Sequence, residues 1–348
     1  MATSFAVWVE DTDSNNTSEP NVSIEQLHFN FWCTKKPPIN CIDIGIKFSL
    51  KHSAKGKLLN IYIPFAIEKE RIEDLSEKMV ENHDLIEAIF NDYILSFSNK
   101  KTKHVCLNLA SKKEEKLILN TNIDFNDYDG KFDNRASVST NGQYTIIKFS
   151  LEECILKNQN EHTDNLKYYI RLRLKNLKEN ELITIMHKME NSDKFLKPLK
   201  EQLMVIDFRI NELRVLPKDI RISLANAHSY PEIYHLFIIR DETDEYQLSH
   251  SGNSYKKCRI LEGETWKKYF DHNIFKNNQS SMIYHWNKEC KKNSDDAHKL
   301  TDFIAVAKYK QIQTPILTIF IYIAVVIFIG IASCYIYDLL KPHLPYLS

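Results

Sequence analysis

Apolar and polar residues alternate with a period of two in several stretches of the chain. "CIDIGIKFSL" sets Ile42, Ile44, Ile46, Phe48 and Leu50 on one side, and "YYIRLRLKNL" does the same with Ile170, Leu172 and Leu174. This spacing predicts strands with one buried face. In "STNGQYTIIKFSL" the pair Asn141 and Gly142 separates two such runs, predicting a hairpin with a type I′ turn, whose two central residues need positive φ. The first half therefore reads as mainly antiparallel sheet. One segment interrupts it. In "EKERIEDLSEKMVENHDLIEAIF" the residues Ile72, Leu75, Met79, Leu85, Ile86, Ile89 and Phe90 fall at helical spacing, predicting two short helices within 68–91, broken near Asn82 and covering a sheet face.

From about residue 186 the strand-like runs become "LMVIDFRINEL", "IRISL", "EIYHLFIIR", "YKKCRIL" and "SSMIYHWNK", with a short helix expected at "EGETWKKYF". The expected organisation is a β-rich domain over 1–185 and a second β-rich unit over 186–300. One continuous sandwich of both halves is the alternative, because no Gly- or Pro-rich linker separates them. A connector over 301–315 reads as a last strand or as a helix running on. The polar stretches Asp11–Pro20, Ser111–Glu115 and Asn158–Asn165 read as loops.

Beyond the connector the pattern ends in an uninterrupted apolar run. Ile316–Tyr337 is 22 residues without a charge. As a helix it spans about 33 Å, which matches a hydrocarbon core of about 30 Å. Lys299, Lys308 and Lys310 precede it and Lys341 follows, within the tail 338–348; this places the large part in the cytoplasm. A single-pass, tail-anchored membrane protein is expected, in contact with membrane lipid. Thr314, Thr318, Tyr322, Val325, Ile329 and Ser333 recur every three or four residues and share one weakly polar stripe. That stripe faces either lipid and neighbouring helices or, in a homo-oligomer such as a tetramer, a pore. Gly330 and Cys334 form a small-xxx-small pair permitting close helix approach.

Composition narrows the chemistry. Lys plus Arg and Asp plus Glu each number 46, so nothing indicates a general affinity for nucleic acid. The seven cysteines are widely spaced without a CxxC pair, and the N-terminus "MATSFAVWVEDTD" lacks a signal-type pattern; both fit a reducing cytosol. The isolated glycines Gly56 and Gly130 form neither a Walker loop nor a dinucleotide fingerprint. No GxSxG, HExxH or kinase signature occurs. The expectation is a non-enzymatic protein without a cofactor. The sets His228/His235 and His285/Cys290/His298 lack the tight ligand pairs of structural zinc, and "RDETDE", Asp241–Glu245, reads as a solvated turn. The concentration of cationic and aromatic residues between Arg221 and Trp286 is more suggestive. Arg221, Tyr234, Arg240, Tyr255, Lys256, Lys257 and Arg259 are the candidates for holding a phosphorylated or nucleotide ligand, since such sites need cations for phosphate and rings for stacking.

A β-rich cytosolic module joined to one C-terminal membrane helix, without a catalytic motif, resembles the membrane effectors of bacterial antiphage nucleotide-signalling systems. The layout is most like that of the Hailong channel-forming effectors. The resemblance implies an oligomeric ion channel controlled by an oligonucleotide or cyclic nucleotide from a partner nucleotidyltransferase, with growth arrest on opening. A tail-anchored scaffold or adaptor, without pore or catalysis, is the alternative.

Overall fold

A computed structural model describes residues 3–11, 22–35, 38–50, 55–97, 103–111, 115–127, 135–155, 166–190, 200–227, 229–249, 254–261, 265–266, 268–270, 280–290, 302–313 and 316–340. It is mainly β, with a few short helices and one long apolar helix at the C-terminal end. Two compact units are present. The first comprises 1–186, 206–242 and 249–307, and the second 187–205, 243–248 and 308–348.

The first unit is built on two sheets. A five-stranded sheet has the order β1 (Ala6–Asp11), β4 (Lys57–Ile63), β11 (Thr145–Ser150), β10 (Ala136–Thr140), β9 (Phe125–Asp127). A ten-stranded sheet runs β17 (Tyr255–Leu261), β18 (Ser281–Glu289), β15 (Pro231–Asp241), β2 (Val22–Lys35), β3 (Pro38–Leu50), β12 (Leu166–Leu174), β8 (Lys116–Asn120), β7 (His104–Leu109), β6 (Ile94–Phe97), with β5 (Ile72–Asp74) also on β12. Most pairs are antiparallel; β15 with β2, β12 with β8 and β10 with β9 are parallel. Strands β15, β17 and β18 thus join the same sheet as strands of the first half. The chain passes from the first unit to the second at 186/187 and returns to the first at 206.

The central strands are buried on both faces. On one, Phe29 of β2 meets Phe5 at 5.2 Å, and Phe5 stacks on Phe208. On the other, α1 (Ser76–Glu81) and α2 (His83–Phe90) cover the sheet. Asn82, extended at φ −133° and ψ 95°, separates the two helices. Trp32, Leu75, Leu85, Trp266, Tyr269 and Ile283 form one buried cluster on that side, and Met79, Ile86, Leu107, Leu119 and Tyr169 form another.

Two local expectations are corrected. The hairpin at Asn141 exists, with Thr140 opposite Thr145, but its central residues are Gly142 and Gln143. Asn141 N–H donates to Tyr144 O, and of the loop residues only Gly142 has positive φ, +85°; this is a type II′ pattern with glycine first. Asn141 instead accepts from the Gln143 and Tyr144 amides through Oδ1. The run "IRISL" is not a strand. It lies in α5 (Lys218–Ala225), because Ile220 and Leu224, four apart, pack on Trp8 and Tyr62. Two further short helices are α3 (Leu151–Cys154) and α4 (Glu179–Leu182).

The second unit contains β13 (Met186–Glu190) from His187 on, β16 (Glu245–Ser249), part of β14 (Lys200–Ile210) and the end of β19 (Phe303–Gln313), hydrogen-bonded in the order β13-β14-β19-β16. The connector is therefore a strand. Gln311 donates to Asp244 Oδ1 at 2.7 Å, and Tyr246 packs on Tyr309. After β19 comes α6 (Ile316–Leu340), in which Ile319–Leu340 is long and apolar enough to cross a membrane, and among the described residues none buries that span. Of the expected loops, Asp11–Pro20 and Asn158–Asn165 lie almost wholly outside the described residues.

Candidate functional site

The covered face of the ten-stranded sheet carries polar side chains where an apolar layer is the norm. The strand registers account for this. Asn287, His235, His28, Gly45 and Arg171 stand opposite one another in a row across β18, β15, β2, β3 and β12. The neighbouring row is Lys257, His285, Phe237, Asn30, Asp43 and Arg173. Residues two apart on a strand share a face, so both rows point toward α2.

Between α2 and strands β17, β18, β15 and β2 lies a cleft of about 280 Å³. Ala88, Ile89 and Phe90 of α2 form one wall; Asn91, in the left-handed conformation that ends the helix, sits at its rim. Gln26 and His28 come from β2, His235 and Phe237 from β15, Ile283 and His285 from β18, and Lys257 and Arg259 from β17. Phe237 and His285 are parallel within 9° at 4.4 Å, and His235 lies within 10° of Phe237 and 19° of His285. The result is a ladder of flat rings whose open end is edged by two cations. Beyond it a chamber of about 30 Å³ reaches Asn30, Arg171 and Trp266.

The three histidines are held neutral. Burial pushes His28 well below the ordinary range, reinforced by His235 and the Arg171 guanidinium. Burial brings His235 down to about 4. His285 also falls to about 4, through burial first and then His235, Lys257, Lys256 and Arg259. His235 Nδ1 lies 3.3 Å from the Asn287 amide nitrogen and 3.1 Å from His285 Nε2; with one lone pair in the ring plane it can accept from only one of them. Among the described residues His285 Nδ1 is a buried atom without a hydrogen-bond partner. Such an atom costs about 1–3 kcal/mol.

Behind the histidines the polar network continues. Arg171 Nη1 donates to Tyr169 Oη at 3.0 Å, and that oxygen lies 3.2 Å from His28 Nδ1. Gly45 makes this possible, since a Cβ there would stand 2.1 Å from Tyr169 Oη. Asp43 is the counter-charge. Its carboxylate accepts from Arg173 Nε and Nη2 at 2.6 and 3.1 Å and from Trp32 Nε1 at 2.9 Å, with Arg171 Nη2 at 3.8 Å. Burial works against the charge on Arg171, but Tyr269, Tyr169 and Asp43 outweigh it and push its pKa up. For Arg173 burial is likewise outweighed, chiefly by Asp43.

No protein family matches the sequence, and no curated protein is significantly similar to it. The site is therefore read from its own chemistry. The cleft is lined by flat rings, by the cations Lys257 and Arg259, and by the amide side chains of Gln26 and Asn91. Among the described residues no group of His, Cys, Asp and Glu has the geometry to hold a metal ion; His228 and His298 lie outside them.

Of the seven ligand candidates, Lys257 and Arg259 stand at the cleft. The other five are elsewhere, for reasons of strand parity and topology. Tyr234 and Arg240 fall on the opposite face of β15 from His235 and Phe237; both are buried, and Tyr234 is hydrogen-bonded to Asn211 and stacked on Phe303. Tyr255 packs edge-on against Trp286, and a register irregularity between Tyr255 and Lys257 leaves Lys256 exposed and outside the cleft lining. Arg221 lies on the exposed side of α5. Sequence reasoning considered His235 and His285 only as metal ligands and passed over His28 and Arg171, which belong to the polar half of an alternating strand, and Phe237, which reads as an ordinary core residue. On the terminal helix Tyr322, Val325, Ile329 and Ser333 are exposed. Thr314 lies outside the described residues, and Thr318 is in the helix.

Proposed function

We propose that this protein is a membrane effector in which a cytosol-facing domain senses a nucleotide-type ligand and thereby controls a homo-oligomeric ion channel formed by the terminal helices. The observation that carries the reading is the pairing, in one chain, of a cation-edged, ring-lined cleft with a 22-residue apolar helix that none of the described residues bury. A cleft of this composition has no use in an inert anchor, and an uncovered apolar helix requires lipid or copies of itself. The chain connection between the two runs through β19. Ligand control requires that affinity differ between closed and open arrangements. Antiphage defence, the inner membrane and a partner nucleotidyltransferase as ligand source follow from the resemblance in layout.

Ion flux through liposomes containing the full chain tests the proposal. Flux that responds to a nucleotide ligand and disappears when 316–340 is replaced by an unrelated membrane helix is the expected result. Cellular activity retained after that replacement would refute the channel and leave a membrane-bound scaffold.

A further inference from the structure

We infer that the cleft holds a single nucleotide unit, free or at the end of a short oligonucleotide, with its base against the Phe237–His285 ring ladder and its phosphate on Lys257 and Arg259. This rests on the ligand-sensing reading above and narrows it. Three observations lead here.

The first is size. A cleft of about 280 Å³ lies just below the range of roughly 300–1,000 Å³ for small-molecule sites. One base with its sugar and phosphate fits such a space, whereas two consecutive units do not. The second is the alignment of the rings. Phe237 and His285 stand side by side from adjacent strands, 9° from parallel, with His235 nearly in the same orientation. A heteroaromatic ring entering along α2 extends that ladder by one step, and stacking accepts any base. The third is the separation of charge. The histidines are neutral, so positive charge at the cleft is concentrated on Lys257 and Arg259, both exposed on the edge strand β17. A ligand is thereby oriented ring inward and phosphate outward. Gln26 and Asn91 lie at the rim, where sugar hydroxyls pass.

Both cations are exposed on the edge strand β17, so the test reverses their charge while checking the fold. The full chain in lipid nanodiscs is titrated by calorimetry with AMP, UMP, inorganic phosphate and a tetranucleotide, with folding of every variant checked by its unfolding temperature. AMP or UMP should bind at least tenfold more tightly than inorganic phosphate, and within about threefold of the tetranucleotide. Phe237→Leu, which keeps the site apolar, should weaken mononucleotide binding about tenfold through lost stacking. The double variant Lys257→Glu/Arg259→Glu should weaken it about a hundredfold or more, as two charge-assisted contacts become repulsive. Phosphate binding as well as AMP, or full affinity in Phe237→Leu, would overturn the inference. Binding of the tetranucleotide alone, lost in the double variant, would overturn the single-unit inference while leaving ligand sensing standing. No binding of any nucleotide to the folded protein would overturn both.

Discussion

Replacing Asp43 removes the one acidic side chain among the described residues that is paired with Arg171 and Arg173, both almost fully buried. In Asp43→Ala, Arg173 loses two hydrogen bonds of 2.6 and 3.1 Å and keeps Tyr269 O at 3.3 Å and the rings of Tyr269 and Phe270 at 4.5 and 4.0 Å. Trp32 Nε1 loses its acceptor, and two guanidinium groups are left close together without a counter-charge. Breaking a buried ion pair from one side costs about 3–5 kcal/mol, and the second stranded cation puts this site at about 4–5 kcal/mol. That is a large part of the roughly 5–15 kcal/mol that holds a typical domain together. Arg173→Met is milder, about 3 kcal/mol, because Asp43 keeps Trp32 and Arg171. Combining the two changes should cost much less than their sum, since a single stranded cation remains. Urea unfolding of the full chain in detergent, followed by tryptophan fluorescence, reads all three. A cost below about 1.5 kcal/mol for Asp43→Ala, or strict additivity in the double variant, would refute the account.

Other outcomes follow from the same geometry. Gly45→Ala drives a Cβ to 2.1 Å from Tyr169 Oη and 3.1 Å from Arg171 Nη1 and should cost about 2–3 kcal/mol, partly recovered by Tyr169→Phe; equal unfolding temperatures with and without Tyr169→Phe would contradict this. Gly142→Ala meets no atom within 4 Å but keeps a φ of +85°, so a loss of about 1 kcal/mol from backbone strain alone is expected in thermal unfolding. His235 and His285 titrate at about 4 when folded and near 6.5 when unfolded, so the unfolded state takes up protons first. Their stabilising contribution is complete above about pH 6.5 and is lost as pH falls toward 4, by up to about 1.4 kcal/mol per pH unit for His235 and less for the more exposed His285. His235→Gln/His285→Gln should flatten that slope, and an unchanged slope would show that the imidazoles are not held neutral. Removing 316–340 should move the protein from the membrane fraction to the soluble one.

The alternation of the strands was legible in the sequence, as were the break at Asn82 and the terminal apolar helix, because each rests on local periodicity. The turn at Gly142 was displaced by one position, since Asn141 found a better use as a side-chain acceptor for the loop amides. "IRISL" was misread because a spacing of two and one of four cannot be told apart over five residues. The cleft was legible only at Lys257 and Arg259. Its remaining parts come from strands more than two hundred residues apart, brought together by the parallel pairing of β15 with β2, which no local pattern announces. Polar residues such as His28 and Asn30 look like a solvent face until α2 covers them.

The last strand also limits what can be handed on to the lipid. Phe303, Ala305, Ala307, Tyr309 and Gln311 form its buried side, and a slip of one residue would turn all five outward. Register can therefore change only by two residues, about 6.6 Å of travel at roughly 3.3 Å per residue. Two residues separate β19 from α6, and such a thrust exceeds a full helical turn of about 5.4 Å. It would drag Asp338 toward the hydrocarbon in one direction and Lys310 in the other. A signal reaching the membrane along this path is accordingly a tilt or a twist of the helix, and not a piston stroke.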